Sequence, residues 1–566
     1  MITTAKEGCN ILADLIVAHG VTQAVLSPGS RNVPLIVAIS RNPDITTRVV
    51  TDERSAAFIA LGLASVSGRP VALVCTSGTA LLNYAPAVAE AFYRRIPLIV
   101  ISADRPAAWI DQDDSQTIKQ PGALDNIVKR SCSLKAELHT PDDRWHFNRV
   151  VNDVLLAAVN RRLGPVHINV TIDTPIDEMT DRPDRVPVRV IRSIRSELAL
   201  PRFVARLLAR AVISSPRVMI VAGFEAPDRL LSNALARLAR NPNVVVLAEN
   251  IANLHSPLFI TAIDRTLSSM PRTLREELVP DIVITLGGAL VSRFIKSYLR
   301  ENQPREHWHV GDNEMTIDCF KCLTRRIELP PMPFFTSLLS AMRVTDEGEG
   351  LTSDYRDRWA EAARLGEEIH ARYVADAPWS DLVAFDVISR LIPRKWNLQV
   401  SNGTSVRYSQ LFSFLCHRID CNRGVSGIDG TTSTAVGASL AYSGVTLLIS
   451  GDMSAAYDLS AVASGLLTPR FKMIVIDNSG GGIFRFIAPT RSLPEREEYL
   501  SACVPTPWAQ IAEGFGIACF EADSRESLPG AFHAMAAVTD RPALLVVHTD
   551  PDVSPRVLID YFHLKF

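Results

Sequence analysis

Asp452, in Gly451-Asp452-Met453-Ser454, and Asn478, in Asp477-Asn478-Ser479-Gly480-Gly481-Gly482, carry the clearest chemical signal in this chain. Each ends an apolar, β-rich run, TLLIS at 446–450 and KMIVID at 472–477. Neighbouring parallel strands would present both residues at their carboxyl ends, the edge where open α/β sheets bind ligands. A carboxylate, an amide oxygen and a backbone carbonyl at Gly480 form a hard oxygen set. It suits a Mg²⁺ ion that keeps its other positions for water and phosphate oxygens. The glycines let the backbone approach a diphosphate closely. Either motif alone is an ordinary turn after a strand. The pair, spanning 28 residues from Gly451 to Asn478, is far more specific.

Other residues could supply acid–base and anion chemistry. Glu53 lies in Thr51-Asp52-Glu53-Arg54-Ser55-Ala56-Ala57-Phe58, between a strand and an Ala-rich helix. In isolation it reads as a first-turn acid favoured by the helix dipole. Arg31 follows Ser30 in SPGSRN, Arg105 lies in ADRP, Arg407 follows the strand at 398–401, and Arg423 lies in NRGVSGIDG. Each sits near a strand end or in a loop, and each guanidinium can bind a carboxylate as a fork.

The elements that must position these residues are strands alternating with helices. Candidate strands are 23–27, 71–75, 97–102, 217–222, 244–248, 281–286, 446–450, 472–477 and 543–548. Continuous Val/Ile/Leu runs mark strands buried on both faces, and intervening helices imply βαβ units. The 566 residues are an ordinary globular mix, 47% hydrophobic and 21% charged. Pro- and charge-rich breaks at 181–189 and from 329 through 345–354 read as linkers. The fold class is α/β, with three α/β domains of mainly parallel sheet at 1–180, 190–340 and 350–566. With 59 basic and 61 acidic residues the net charge is −2, which argues against a nucleic-acid partner. Nine scattered cysteines do not form a disulfide framework, and Cys319-Phe-Lys-Cys322 lacks the companions a zinc site needs. The N-terminus has no basic, apolar leader and no stretch is uniformly apolar, so the chain is expected in the cytoplasm, without a membrane span.

The Asp452/Asn478 pair resembles the diphosphate and metal motif of thiamine-diphosphate enzymes. Met453 stands for that motif's second glycine and Asp477 for its first asparagine. The resemblance implies that Glu53 hydrogen-bonds the aminopyrimidine, favouring the imino form that deprotonates the thiazolium carbon. SPGSRNVPL (27–35), CTSGTALLNYAPAVAE (75–90), SADRP, IDQDDSQTIKQPG (110–122), NRGVSGIDG and GGGIF (480–484) narrow it, in order along the whole chain. Together they resemble the 2-succinyl-5-enolpyruvyl-6-hydroxy-3-cyclohexene-1-carboxylate synthases of menaquinone biosynthesis. That family joins 2-oxoglutarate to isochorismate with loss of CO₂.

The resemblance implies a transferase using thiamine diphosphate and Mg²⁺, with Mn²⁺ the alternative ion. Asp452, Asn478 and Gly480 would hold the metal. Gly451, Ser454, Gly480 and Ile483 would line the cofactor, and Ile428 would bend it. Arg407, with Arg423, would hold the donor. Arg31 and Arg105 would hold isochorismate, helped by Gln116 and Arg293; Ser30 would also bind substrate, and Phe484, a further substrate-binding residue, would with Ile483 cover the intermediate. The family often has Asn-Gln where this chain has Ser115-Gln116, and adjacent basic residues where it has Arg293-Phe294, with Lys296 nearby. Gly403 occupies a family serine position. A homodimer, or a dimer of dimers, is implied because the two halves of such a site come from different subunits. The middle block shows no GxGxxG after a strand, and no flavin is expected there.

Three other readings compete. An acetohydroxyacid-synthase-type ligase or simple 2-oxoacid decarboxylase would not need so many carboxylate-binding arginines. A non-catalytic homologue would be free to lose Glu53, Asp452 or Asn478. A nicotinamide-dependent enzyme would carry the dinucleotide fingerprint.

Overall fold

The apolar runs become the inner strands of three six-stranded sheets, seen in a computed structural model that describes residues 2–174, 179–181, 188–194, 196, 198–312, 315–345, 352–502 and 504–564. The first sheet runs in the order Thr46–Val49, Gln23–Leu26, Val71–Cys75, Leu98–Asp104, Val166–Thr171, Ser131–Lys135. The third runs Arg418–Asp420, Asn397–Val400, Thr446–Gly451, Phe471–Asp477, Ala543–His548, Ala518–Ala522. Both follow one pattern: the second strand lies outside the first, the third and fourth continue on the other side, and the sixth comes before the fifth. The middle sheet differs, in the order Phe259–Ile260, Val244–Ala248, Val218–Ala222, Ile282–Leu286, Glu306–Val310, Arg325–Ile327. The three sheets are parallel; the short pair Ile2–Thr4 with Met179–Asp181 is antiparallel.

Alternation along the strands explains the two-sided burial. In the middle sheet Val218, Ile220, Val244 and Val246 enter one apolar cluster, with Leu235 and Phe334. Met219, Val221, Val245 and Leu247 enter another, with Tyr298 and Trp359. Period-two alternation puts helices on both faces, as parallel sheets require.

The Pro-rich stretch expected to begin a linker is largely helix, Pro331–Thr345, with Phe334, Phe335 and Leu338 fully buried. Pro331 opens the helix and Pro333 lies in its first turn, where a missing N–H costs nothing. Residues 346–351 of that break, and 182–187 of the earlier one, lie outside the described residues.

Backbone contacts divide the chain into two units. One comprises Met1–Arg195, Asn422–Thr446 and Ala455–Phe471; the other comprises Ser196–Cys421, Leu447–Ser454 and Lys472–Phe566. In the first, helix Glu53–Ser67 packs on helix Thr431–Ala441 backbone to backbone. A Cβ at Gly62 would lie 2.0 Å from the Thr434 carbonyl oxygen, and one at Gly437 would lie 2.0 Å from that of Ile59. Only glycines permit so close a crossing.

Candidate active site

In the first unit, the expected residues gather at the carboxyl edge of the first sheet. Ser30 and Arg31 follow Gln23–Leu26, Glu53 follows Thr46–Val49, and Arg105 follows Leu98–Asp104. Glu53 opens its helix behind the Asp52 cap, whose carboxylate accepts from the Arg54 and Ser55 N–H groups. Arg54 donates to the Tyr457 carbonyl (3.1 Å), and Ser55 Oγ meets Ser460 Oγ at 2.7 Å. The helix start carrying Glu53 is therefore held from several sides. Glu53 acts electrostatically on Cys75 and Tyr84, whose pKa values are raised first by burial and then by charge.

Arg31 is buried and donates through Nη1 to the carbonyls of Ile172 (2.9 Å) and Asp173 (3.0 Å). Its pKa is lowered, chiefly by burial and next by Arg105. Two guanidinium groups thus lie close together, an arrangement suited to an anion. Arg105 pairs with Asp114. Gln116 donates to the Ser77 carbonyl at 2.7 Å, and Ser30 is exposed.

The NRGVSGIDG loop, carrying Arg423 and Ile428, is docked on helix Ala85–Arg94. Buried Glu90 accepts from Gly424 N (2.8 Å) and Val425 N (2.7 Å), and Arg94 donates to Asn422 Oδ1 at 3.0 Å. Sequence reasoning gave Glu90 and Arg94 no role. Their apolar helix setting hid it, since the partner lies more than 300 residues away.

In the second unit, Gly451-Asp452 and Asn478 end adjacent strands, and the 401–407 segment follows the neighbouring strand Asn397–Val400. Asp452 is 8% exposed and Asn478 4%. The Asp452 carboxylate accepts from Gly480 N and Met453 N, each at 2.7 Å. Burial first, and the neighbouring Asp477 carboxylate after the hydrogen bonds, hold its pKa well above the usual range. None of these leading influences is a cation. Asn478 Nδ2 donates to Asp381 Oδ2 at 2.8 Å, which leaves the amide oxygen for a cation. The Gly480 carbonyl accepts from Gly482 N at 2.7 Å and keeps its second lone pair. A Cβ at Gly451 or Gly403 would meet nothing within 4 Å. An electron-rich hard oxygen set beside open space fits a divalent cation and a diphosphate.

Arg485, absent from the sequence reading, clamps this loop. Its Nη1 donates to the Asn478 carbonyl and its Nη2 to that of Ser479, both at 2.9 Å, and it pairs with Glu497. Hydrogen bonding from Arg485 is the first cause holding Glu497 down to about 2. Ile483 and Phe484, both half-buried, lie in the short helix Ile483–Phe486. Thr404, Tyr408, Asn478, Gly482 and Arg485 line one small cavity, so the 404–408 segment and the 478–485 segment meet.

Half-buried Arg407 lies in Ser405–Tyr408, and its charge acts on Asp264. The segment after it is held by Asn250 Nδ2, which donates to the Ser409 (2.6 Å) and Phe412 (2.8 Å) carbonyls. Arg293 is exposed at a helix start, whereas Lys296 donates to the Leu290 carbonyl at 2.6 Å. Ser454 is buried.

Comparison with known proteins gives the family. Residues 6–123 match the family described as thiamine pyrophosphate enzyme, N-terminal TPP binding domain. The 2-succinyl-5-enolpyruvyl-6-hydroxy-3-cyclohexene-1-carboxylate synthase of Porphyromonas gingivalis is 43% identical over 98% of this chain and 97% of its own length. The chain belongs to this synthase family. Synthases bearing the same name from Bacteroides fragilis (35% identical, 99% of each chain) and Flavobacterium johnsoniae (34%, 97% of each chain) are also similar to it. Membership of the synthase family makes this a thiamine-diphosphate-dependent chain. Among the described residues, no helix is long and apolar enough to cross a membrane.

Proposed function

We infer that this protein is a thiamine-diphosphate-dependent transferase in menaquinone biosynthesis. It catalyses decarboxylative 1,4-addition of 2-oxoglutarate to isochorismate, giving 2-succinyl-5-enolpyruvyl-6-hydroxy-3-cyclohexene-1-carboxylate and CO₂. Full-length similarity to the named synthases supports this reading most strongly.

Asp452, Asn478 and the Gly480 carbonyl would hold Mg²⁺, with Gly451 and Ser454 beside the diphosphate and Ile428 and Ile483 against the ring system. When bound, the cofactor supplies a carbon nucleophile for the keto group and an electron sink for decarboxylation. Glu53 holds a proton at a ring nitrogen of the aminopyrimidine, which makes it the acid–base residue. Arg407 and Arg423 bind donor carboxylates. Ser30, Arg31, Arg105, Gln116 and Arg293 bind and orient the acceptor, whose anionic groups would replace Asp114 at Arg105. Phe484 and Ile483 cover the reacting centre and exclude water.

The pyrimidine-type domain at 1–180, the central domain at 190–340 and the diphosphate domain at 350–566 would act in a homodimer or dimer of dimers. One subunit would provide the pyrimidine side and another the diphosphate side. The described cysteines are free thiols, which supports a cytoplasmic setting.

Mass spectrometry of the product formed from 2-oxoglutarate and isochorismate tests the assignment. The expected product has the mass of the two substrates combined less CO₂. Formation of an acetohydroxyacid from pyruvate, with none of that product, would overturn it.

A further inference from the structure

Asp381 opens helix Asp381–Leu391, is 2% exposed, and lies 97 residues before Asn478 in the sequence. Its carboxylate takes donors from the ends of two adjacent strands and from the helix Val553–Tyr561. Asn478 Nδ2 lies 2.8 Å from Oδ2; Thr549 Oγ1 and Ser554 Oγ lie 2.6 and 3.2 Å from Oδ1. Its own N–H donates to Ser554 Oγ at 3.0 Å. Thr549 is itself fixed, because its N–H donates to the Asp477 carbonyl at 3.0 Å.

An asparagine amide has two ends of nearly equal size, and only the oxygen can bind a cation. A carboxylate accepts hydrogen bonds and donates none. Asn478 can therefore face Asp381 only with its nitrogen. Burying a carboxylate is costly: burial raises the pKa of this one, against the lowering action of its three hydrogen-bond donors and of the Arg485 charge. A neutral amide in the same place could face Asn478 either way round and would not select.

We propose that Asp381 is a positioning residue that locks the Asn478 side chain with its oxygen toward the metal. Arg485 holds the backbone of the same residue through its carbonyl, so backbone and side chain are oriented by separate groups. Such outer partners commonly govern metal affinity by 10- to 100-fold. The inference rests on the reading of Asp452 and Asn478 as metal ligands.

The test is Mn²⁺ titration of metal-free protein with thiamine diphosphate present, free Mn²⁺ being followed by electron paramagnetic resonance. D381N should bind Mn²⁺ about 10- to 100-fold more weakly, with an unchanged circular dichroism spectrum. Folded D381N with wild-type affinity would overturn the proposal. Should D381N fail to fold, T549V removes the shortest hydrogen bond holding Asp381 and should weaken Mn²⁺ binding several-fold. Wild-type affinity in that variant would equally overturn it. D452N separates the two readings. If wild type binds Mn²⁺ and D452N does not, while D381N matches wild type, only the role of Asp381 fails. If wild type binds none, the metal-site reading falls and this proposal with it.

Discussion

The Asp452 carboxylate accepts a 2.7 Å hydrogen bond from the Gly480 backbone N–H, joining the ends of two adjacent strands. The candidate metal-binding loop is thus closed by a hydrogen bond of its own. Arg485 tightens the same loop from the other side by gripping two successive carbonyls.

Arg485 should therefore matter without touching substrate. Hydrogen bonds from a charged donor contribute about 1.5–3 kcal/mol each. Arg485→Ala should raise the thiamine diphosphate concentration for half-maximal activity by about tenfold or more. Arg485→Lys keeps the charge but loses the fork, so it should recover only part. A cofactor titration of both variants checks this, and unchanged half-saturation in Arg485→Ala would contradict it.

Glu53→Gln should cost catalysis far more than folding. General acid–base assistance contributes roughly 10²–10⁴-fold, so kcat should fall by about that factor. The helix start remains capped by Asp52 and tied through Ser55, so the melting temperature should hold. Full activity in the variant would remove Glu53 from the proton relay.

Gly62→Ala should damage the fold. The added methyl would meet the Thr434 carbonyl oxygen at 2.0 Å, and a backbone atom cannot rotate away. A loss at or above the usual overpacking range, about 3 kcal/mol, should appear as a clear drop in thermal unfolding temperature. Wild-type stability would show that the two helices part easily.

Glu249 predicts a pH dependence of stability. It is 1% exposed, accepts from the Val291 and Ser292 N–H groups, and burial pushes it up from 4.5 to about 7. The folded chain thus keeps this proton where the unfolded chain has lost it. The favourable contribution is full below about pH 4.5 and is lost as pH rises through about 7. Between those limits Glu249→Gln should gain about 3 kcal/mol relative to wild type. Urea unfolding of both proteins across this range measures the difference; a pH-independent difference would contradict it.

The strand ends that carry the candidate residues were legible because chemistry and local pattern coincide there. Asp452 and Asn478 follow long apolar strands, and Glu53 follows a recognisable strand and precedes an Ala-rich helix. Edge strands such as Ser131–Lys135 and Arg418–Asp420 were not legible. They are short and partly polar, because only one neighbour covers them. The helix Pro331–Thr345 read as a linker because its prolines sit where helices tolerate them. The supporting residues Asp381, Glu90 and Arg485 escaped for another reason. Asp381 and Glu90 act on partners about 100 and more than 300 residues away, and no local spacing announces such a contact. Arg485 lies only six or seven residues from the carbonyls it holds, but backbone acceptors leave no mark in a side-chain pattern.

The central claim is the coupling of decarboxylation to addition, and CO₂ release from 2-oxoglutarate tests it most directly. The assay contains Mg²⁺ and thiamine diphosphate, with and without isochorismate. Strong release only when both substrates are present, and none without the cofactor, is the predicted result. Equal release with and without isochorismate, or release from pyruvate instead, would contradict the account.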